Sequence, residues 1–493
     1  MKEEEQRVRL VYTGVRNFTL RIITAPLSFI FTYLVAHYLS SLPNGEIVFA
    51  SWQSLYVLVI GYFTIPADTF SLLSSRYASE NRPVGGLILL NLVTGIIASL
   101  IYVLLVPYLI SSLHYVDYLA FYSVALIIIS FYVYRISYSI IRGKSPLVIG
   151  TIALAFQIVR LAVVVVAFYI FRLAILGVVY AYFAGYLIQI FLSIPRIKAN
   201  LKMDFKVAFI AMKKSMATVI YYLQAILEAT VVWITIILIH NAIPVAYFES
   251  ALIIANIVTW SFSLYDGLIA KLAETKDAGI IVTSARMYSF LSTLWLALVI
   301  VEGEPLLYHI RRDYLAAIYA LIILALSNYL RGWYSIFYYS IIMIDRSLGL
   351  NEYENPFRGL TAKLNISNLL FSIIGILTSA TIVFLLRNFP AYLIALGMTV
   401  GVLINSIWMV KSSYSLSKGE YKFRLPIKEI ASSAIAAIVT ILPFIFLHFV
   451  SYLDMLIYGI LAILIFIGIS YLINPYARLF IGALLKELRK IHI

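Results

Sequence analysis

Five arginines stand inside long apolar stretches of this chain: Arg21, Arg135, Arg160, Arg286 and Arg331. A charge held in hydrocarbon costs on the order of 3 kcal/mol, so such a residue faces a bundle interior or a wet cavity unless its stem carries the charge out to a headgroup layer. Arg21 belongs to a stripe, because Asn17, Arg21, Thr24, Ser28 and Thr32 recur at helical three- and four-residue spacing. Pro26 lies in the same stretch and can kink a helix, freeing a backbone carbonyl. The stripe reads as a cavity wall, with snorkelling of Arg21 as the alternative. Gln157 and Arg160 share a face deep in "LVIGTIALAFQIVRLAVVVVAFYIF", where neither end is within snorkelling reach. Asn328, Arg331 and Ser335 repeat the pattern, with a structural ion pair as the bland reading of Arg331. Arg135 and Arg286 lie nearer helix ends, where snorkelling explains them as well as function does.

The acids in similar surroundings are fewer. Glu228 shares a face with Tyr221 and Gln224; Glu249, Asn256, Ser263 and Asp266 follow one another along a second helix, and Asp68 closes a third. Such carboxylates could exchange a proton or hold Na⁺, or simply neutralise arginines. The excess of arginine predicts a cationic, water-filled cavity with an anionic cargo, and the guanidinium fork matches phosphate or pyrophosphate. Asn17, Gln157 and Asn328 are the neutral members of this binding set, with Arg21, Arg160 and Arg331 as its cations. Glu228 and Asp266 lead the ion-coupling set, followed by Glu249 and Asp68.

The elements that must position these residues follow from composition. The 493 residues are 63% hydrophobic and 12% charged, with mean hydropathy +0.97. A soluble protein of this size could not hide that much apolar surface. Spanning helices need about 20 apolar residues, and the alternation of a barrel strand is missing. About fourteen helices are expected, near 17–39, 47–73, 87–110, 119–141, 147–171, 173–194, 217–239, 245–269, 280–301, 315–342, 364–386, 391–410, 430–450 and 455–472. The mixed-charge start "MKEEEQRVRLVYTGVRN" lacks a small-residue cleavage site, so the first helix is expected to stay as an anchor.

Lys and Arg alternate between loops as the positive-inside rule requires when both termini are cytoplasmic. Inner segments hold Arg76 and Arg82, Arg142 and Lys144, Arg196 to Lys214, Lys271 and Lys276, Arg346 to Lys363, and Lys411 to Lys428. The outer loops keep only Arg172, Arg311, Arg312 and Arg387. The net charge of +14 is therefore topology, and no nucleic-acid partner is needed to explain it. The stretch 195–216 is basic and amphipathic, suiting a cytoplasmic linker on an anionic leaflet. It divides an N-lobe, 1–194, from a C-lobe, 217–410; residues 411–493 add two helices and an amphipathic tail. An internal echo supports two six-helix lobes related by a pseudo-two-fold along the membrane normal: "YSII" recurs at 138–141 and 339–342, and the same offset carries Pro43 onto Pro244.

An enzyme is not expected. The six histidines lie singly, no cysteine is present, and "VGG" at 84–86 is too short for a phosphate loop. A membrane glycosyltransferase or polymerase would need acids on a substantial outer loop, whereas Asp117 and Glu302 are placed on short ones. Neither cofactor nor metal is expected. The lack of cysteine with abundant Ile and Tyr is compatible with an archaeal or thermophilic source.

"LRIITAPLSFIFTYLVAHYL", a short outer loop, a second helix, and "SSRYASE" at 74–80 resemble the start of polysaccharide flippases of the Wzx type. These belong to the superfamily that includes multidrug exporters and the lipid II flippase. The resemblance implies two six-helix lobes that alternate between inward-open and outward-open states. It implies transfer of a polyprenyl-(pyro)phosphate-linked oligosaccharide to the outer leaflet of the cell membrane, for protein glycosylation or surface polysaccharide assembly. The family's arginine near the start of helix 1 maps onto Arg21 or Arg16, and helices 13 and 14 would form a groove for the lipid tail. The loop "SSLPNGEI" departs from the family's Gly-Pro pattern. Expected partners are that lipid, bilayer lipids and H⁺ or Na⁺, and the chain is expected to act as a monomer. A small-molecule exporter of the same architecture is the first alternative.

Overall fold

The computed structural model describes residues 20, 23–24, 26–68, 74, 78, 83–144, 148–197, 202–206, 208–209, 219–264, 277–345, 356–444, 447 and 451–482. Asn17, Arg21, Asp266, the residues Arg76, Tyr77 and Glu80 of the SSRYASE stretch, and much of the linker and tail lie outside them. No strand occurs among the described residues. The helices are α1 (26–41), α2 (Gly45–Leu58), α3 (Gly85–Leu113), α4 (Tyr118–Lys144), α5 (Ile149–Tyr169), α6 (Ile175–Ile197), α7 (Val219–Ile239), α8 (Ile243–Ala255), α9 (Ala278–Ile310), α10 (Ile318–Ile344), α11 (Leu360–Leu385), α12 (Ala391–Tyr421), α13 (Ile427–Ile441) and α14 (Tyr452–Ile473). Twelve helical spans among the described residues are long and apolar enough to cross a membrane. With α1 and α7 the candidate spanning helices among the described residues number fourteen, as expected; a further short helix covers 475–482 in the tail. α4 and α10, which carry the two YSII tetrapeptides near their C-terminal ends, are each 27 residues long.

Several ends differ from the expected ones for local physical reasons. α2 passes at Val59–Phe63 into a π-helical turn. Such a turn leaves a carbonyl short of its usual partner, and Tyr132 of α4 donates its hydroxyl to Phe63 O at 2.7 Å. α8 stops at Ala255 and continues as the 3₁₀ turn Asn256–Leu264. Asn328 of α10 satisfies that break by donating to Ala255 O at 3.1 Å and to Asn256 Oδ1 at 3.0 Å. α9 corrects the loop expected from Glu302 to Tyr314: it stays helical through Pro305 to Ile310, and the 3₁₀ turn Arg312–Ala317 follows. α12 likewise runs on to Tyr421, taking Lys411 and Lys418 into a helix.

The chain forms two compact units. One comprises residues 1–249 and 380–394; the other comprises 250–379 and 395–493. In the first, α4 and α5 pack on α6, and α3 packs on α4. Gly95 lets α3 lie under the Tyr132 ring, where an added Cβ would come within 2.8 Å, and Asn91 donates to Tyr132 O at 2.7 Å. Gly185 does the same for α6 under Phe156, at 2.7 Å, and so fixes the height at which α5 presents its next turn. In the second unit α9 packs against α10, α13 and α14. The Tyr288 hydroxyl crosses from α9 over Gly332 to donate to Tyr329 O at 2.7 Å.

Candidate functional site

Arg160 is built into the first unit by helices distant in sequence. Its side chain is only 4% exposed. One terminal guanidinium nitrogen donates to Gln157 Oε1, one turn back on α5, at 2.6 Å, and to Ser28 Oγ of α1 at 3.2 Å. The guanidinium carbon lies 3.9 Å from the ring centre of Phe31, 4.8 Å from Phe156 and 4.9 Å from Tyr182. Nε has no hydrogen-bond partner. Among the described residues no carboxylate pairs with this cation, whose charge is held by three aromatic faces and two neutral oxygens. The rings continue outward: Tyr56 and Trp52 of α2 lie 5.7 and 5.8 Å from Tyr182, and Tyr186 lies 5.2 Å from Phe156. Tyr56 is within electrostatic range of both Arg160 and Glu249, and Glu249 is buried on α8.

The other residues singled out by sequence fall into separate places. Asp68 forms an ion pair with Arg135 of α4. Glu228, partly buried, accepts from Gln224 Nε2 at 3.3 Å along α7. In the second unit Arg331 is partly buried on α10 and donates from Nε to Ser406 Oγ of α12 at 3.2 Å. Ser335 donates its hydroxyl back to Arg331 O at 2.9 Å. Asn328 is committed to the α8 break described above. Arg286 pairs with Glu429 of α13 at 2.9 Å. Thus Gln157 and Arg160 do share a site, Arg331 has a polar helix neighbour in its own unit, and Asp68 is partnered by an arginine. The sequence reading missed Phe31, Phe156 and Tyr182 as the walls around Arg160, although the arginine at helical spacing from Phe156 was a usable signal.

Sequence comparison with family models and with curated proteins gives no match. Solved structures are similar in fold. The lipid II flippase MurJ in an inward closed conformation superposes with a TM-score of 0.59 at 14% identity, covering 92% of this chain and 99% of that one. An inward-facing multidrug resistance transporter of the MATE family, MOP superfamily, gives 0.60 at 10% identity, covering 83% and 99%. A MOP superfamily transporter from Pyrococcus furiosus, described by a binding pocket of reversed polarity that suggests a different function, gives 0.57 at 10% identity, covering 84% and 96%. At these identities the likeness establishes the fold: the chain is an all-helical, multi-pass membrane protein with the architecture of MOP superfamily transporters.

Proposed function

We propose that the protein is a flippase that moves a polyprenyl-(pyro)phosphate-linked oligosaccharide from the cytoplasmic to the outer leaflet of the cell membrane, acting as a monomer by alternating access. The observation that carries this reading is Arg160, a buried guanidinium with no carboxylate partner among the described residues and an Nε–H without a hydrogen-bond partner. A cation left so in an apolar bundle is stabilised by an anion that arrives and leaves, and a phosphate oxygen suits the free edge of the fork. Arg331 offers a second anion station in the other unit; Arg21 and Asn17, which lie outside the described residues, are assigned to a third by their sequence spacing alone. A neighbour of the same fold is a lipid II flippase, and another is described by a pocket of reversed polarity. Export of organic cations, the competing reading, conflicts with an unneutralised arginine in the site. Coupling to H⁺ or Na⁺ falls to Glu228 or Asp266, with Glu249 next, because Asp68 is held by Arg135.

The test uses liposomes carrying a fluorescent polyprenyl-pyrophosphate oligosaccharide and a membrane-impermeant glycosidase, with and without an imposed ion gradient. Wild type exposes the glycan; Arg160→Gln slows exposure about tenfold or more, as expected for losing one charge-assisted hydrogen bond. Glu228→Gln or Asp266→Asn abolishes the response to the gradient. Equal exposure by wild type and Arg160→Gln, with both proteins correctly inserted, overturns the reading.

A further inference from the structure

Glu302 has no role in that reading. It lies in α9 with its side chain 7% exposed, and neither carboxyl oxygen has a hydrogen-bond partner. Opposite it is Gly459 of α14, where an added Cβ would stand 3.1 Å from Oε1. The adjoining cluster is apolar but for one phenol: Val301, Phe444 and Ala462 are buried together, with Leu298, Ile441, Ile465 and Tyr458 packed against them. The carboxyl is thus closed in a seam between α9 and the α13–α14 hairpin, all within the second unit.

The titratable and charged groups around this end of α9 are either exposed or engaged elsewhere. On α9 itself Glu304 is exposed, Tyr308 packs edge-on to His309 at 5.6 Å, and His309 stacks on Tyr452 at 3.8 Å. α14 brings Tyr458, packed edge-on to Phe444, and Asp454, which accepts from the Ser451 hydroxyl at 2.8 Å. The turn after α9 brings Asp313, paired with Arg311 at 3.0 Å, and the exposed Arg312. α10 meets α9 at Gly303 through Ile318 and Leu321, both aliphatic. α13 contributes Glu429, which pairs with Arg286, and His448 lies outside the described residues. None of the described groups hydrogen-bonds or ion-pairs with Glu302.

An ionised carboxylate with no donor and no cation opposite it costs several kcal/mol in such surroundings, whereas the neutral acid costs far less. A hard metal cation would need a shell of further oxygens, and these neighbours supply none. We propose that Glu302 is a proton-binding site, occupied while α13 and α14 are closed on α9 and emptied only when the seam admits water. Proton release and parting of the hairpin from α9 are then one event, since the ionised form is tolerated only once hydrated. The site is independent of the cargo and of the arginine stations.

Dicyclohexylcarbodiimide tests this on the full-length wild type in detergent and in liposomes. The reagent partitions into apolar regions and consumes the protonated acid. The carboxyl proton moves to one carbodiimide nitrogen as the carboxyl oxygen bonds the central carbon, and an acyl shift to nitrogen leaves a stable N-acylurea with no atom lost. Peptide mass spectrometry finds the adduct on Glu302 and not on exposed Glu304, falling about tenfold or more between about pH 6 and about pH 10 as the acid ionises. In Glu302→Gln the adduct is absent from that peptide. No adduct on Glu302 at either pH, or equal labelling at both, overturns the proposal.

Discussion

Arg135 and Arg160 lie in one unit and are stabilised by different chemistry. Arg135 faces the Asp68 carboxylate, and the two side chains are 32% and 22% exposed. Arg160 is more deeply buried and relies on ring faces, each worth about 0.5–2 kcal/mol, with Gln157 and Ser28 accepting from one nitrogen. Removing the charge should therefore act oppositely on stability. Arg135→Met leaves Asp68 without its cation and lowers unfolding stability by about 1–2 kcal/mol, the smaller end of the range for breaking an ion pair because water still reaches this one. Arg160→Met replaces an unneutralised charge with an apolar chain of similar length. It leaves thermal unfolding in detergent unchanged or raises it, while glycan exposure in the liposome assay is lost. A fall in stability at both positions would make Arg160 a structural residue. The Gln157–Arg160 pair was legible because three-residue spacing shares a helix face. Phe31 was not, since nothing local connects α1 to α5. Glu302 was misplaced because a charge normally ends an apolar run, and only tertiary burial shows that this one continues it.

Helix contacts in this fold depend on small residues where backbones meet, since lipid and side chains are equally apolar and close packing supplies the attraction. The clearest case is α11 against α12. An added Cβ on Gly401 would fall 2.0 Å from Gly375 O and 2.5 Å from Ser379 Oγ. Ser379 in turn accepts from Gly401 N at 3.0 Å and donates to Met398 O at 3.0 Å. Beyond this crossing Phe371 stacks on Trp408 at 3.5 Å, and Ser412 donates to Asn368 at 3.1 Å. Gly401→Ala must push the two helices apart and lose these register contacts, costing about 2–3 kcal/mol. Gly419, further along α12 with nothing within 4 Å, is the control: Gly419→Ala leaves stability unchanged or raises it by a few tenths of a kcal/mol, the helix propensity gain. Melting of the two variants in one detergent decides it, and equal melting points would remove the close crossing as a stabilising feature. Element number and type were legible from apolar run length. The α8 break and the π turn of α2 were not, because each is completed by a distant donor, Asn328 or the Tyr132 hydroxyl.

At the scale of the whole molecule the sequence speaks through charge placement: lysine and arginine collect in alternate connections, and fourteen helices give these connections their sides. The same alternation sets the direction of the proposed transport, since inner and outer leaflets are defined by it. The chain lacks cysteine, so a single introduced thiol is a unique reporter. Asn388 is exposed in the α11–α12 turn and Ser451 is exposed just before α14, both on the side poor in basic residues. Lys422, exposed between α12 and α13 with φ 51°, lies on the rich side. In intact cells Asn388→Cys and Ser451→Cys react with a membrane-impermeant maleimide, whereas Lys422→Cys reacts only after permeabilisation. Labelling of Ser451→Cys and Lys422→Cys from the same side would mean that α13 does not span. Inversion of all three would reverse the assigned direction of glycan transfer, because the basic loops would then face outward against the cost of moving their charges across the bilayer.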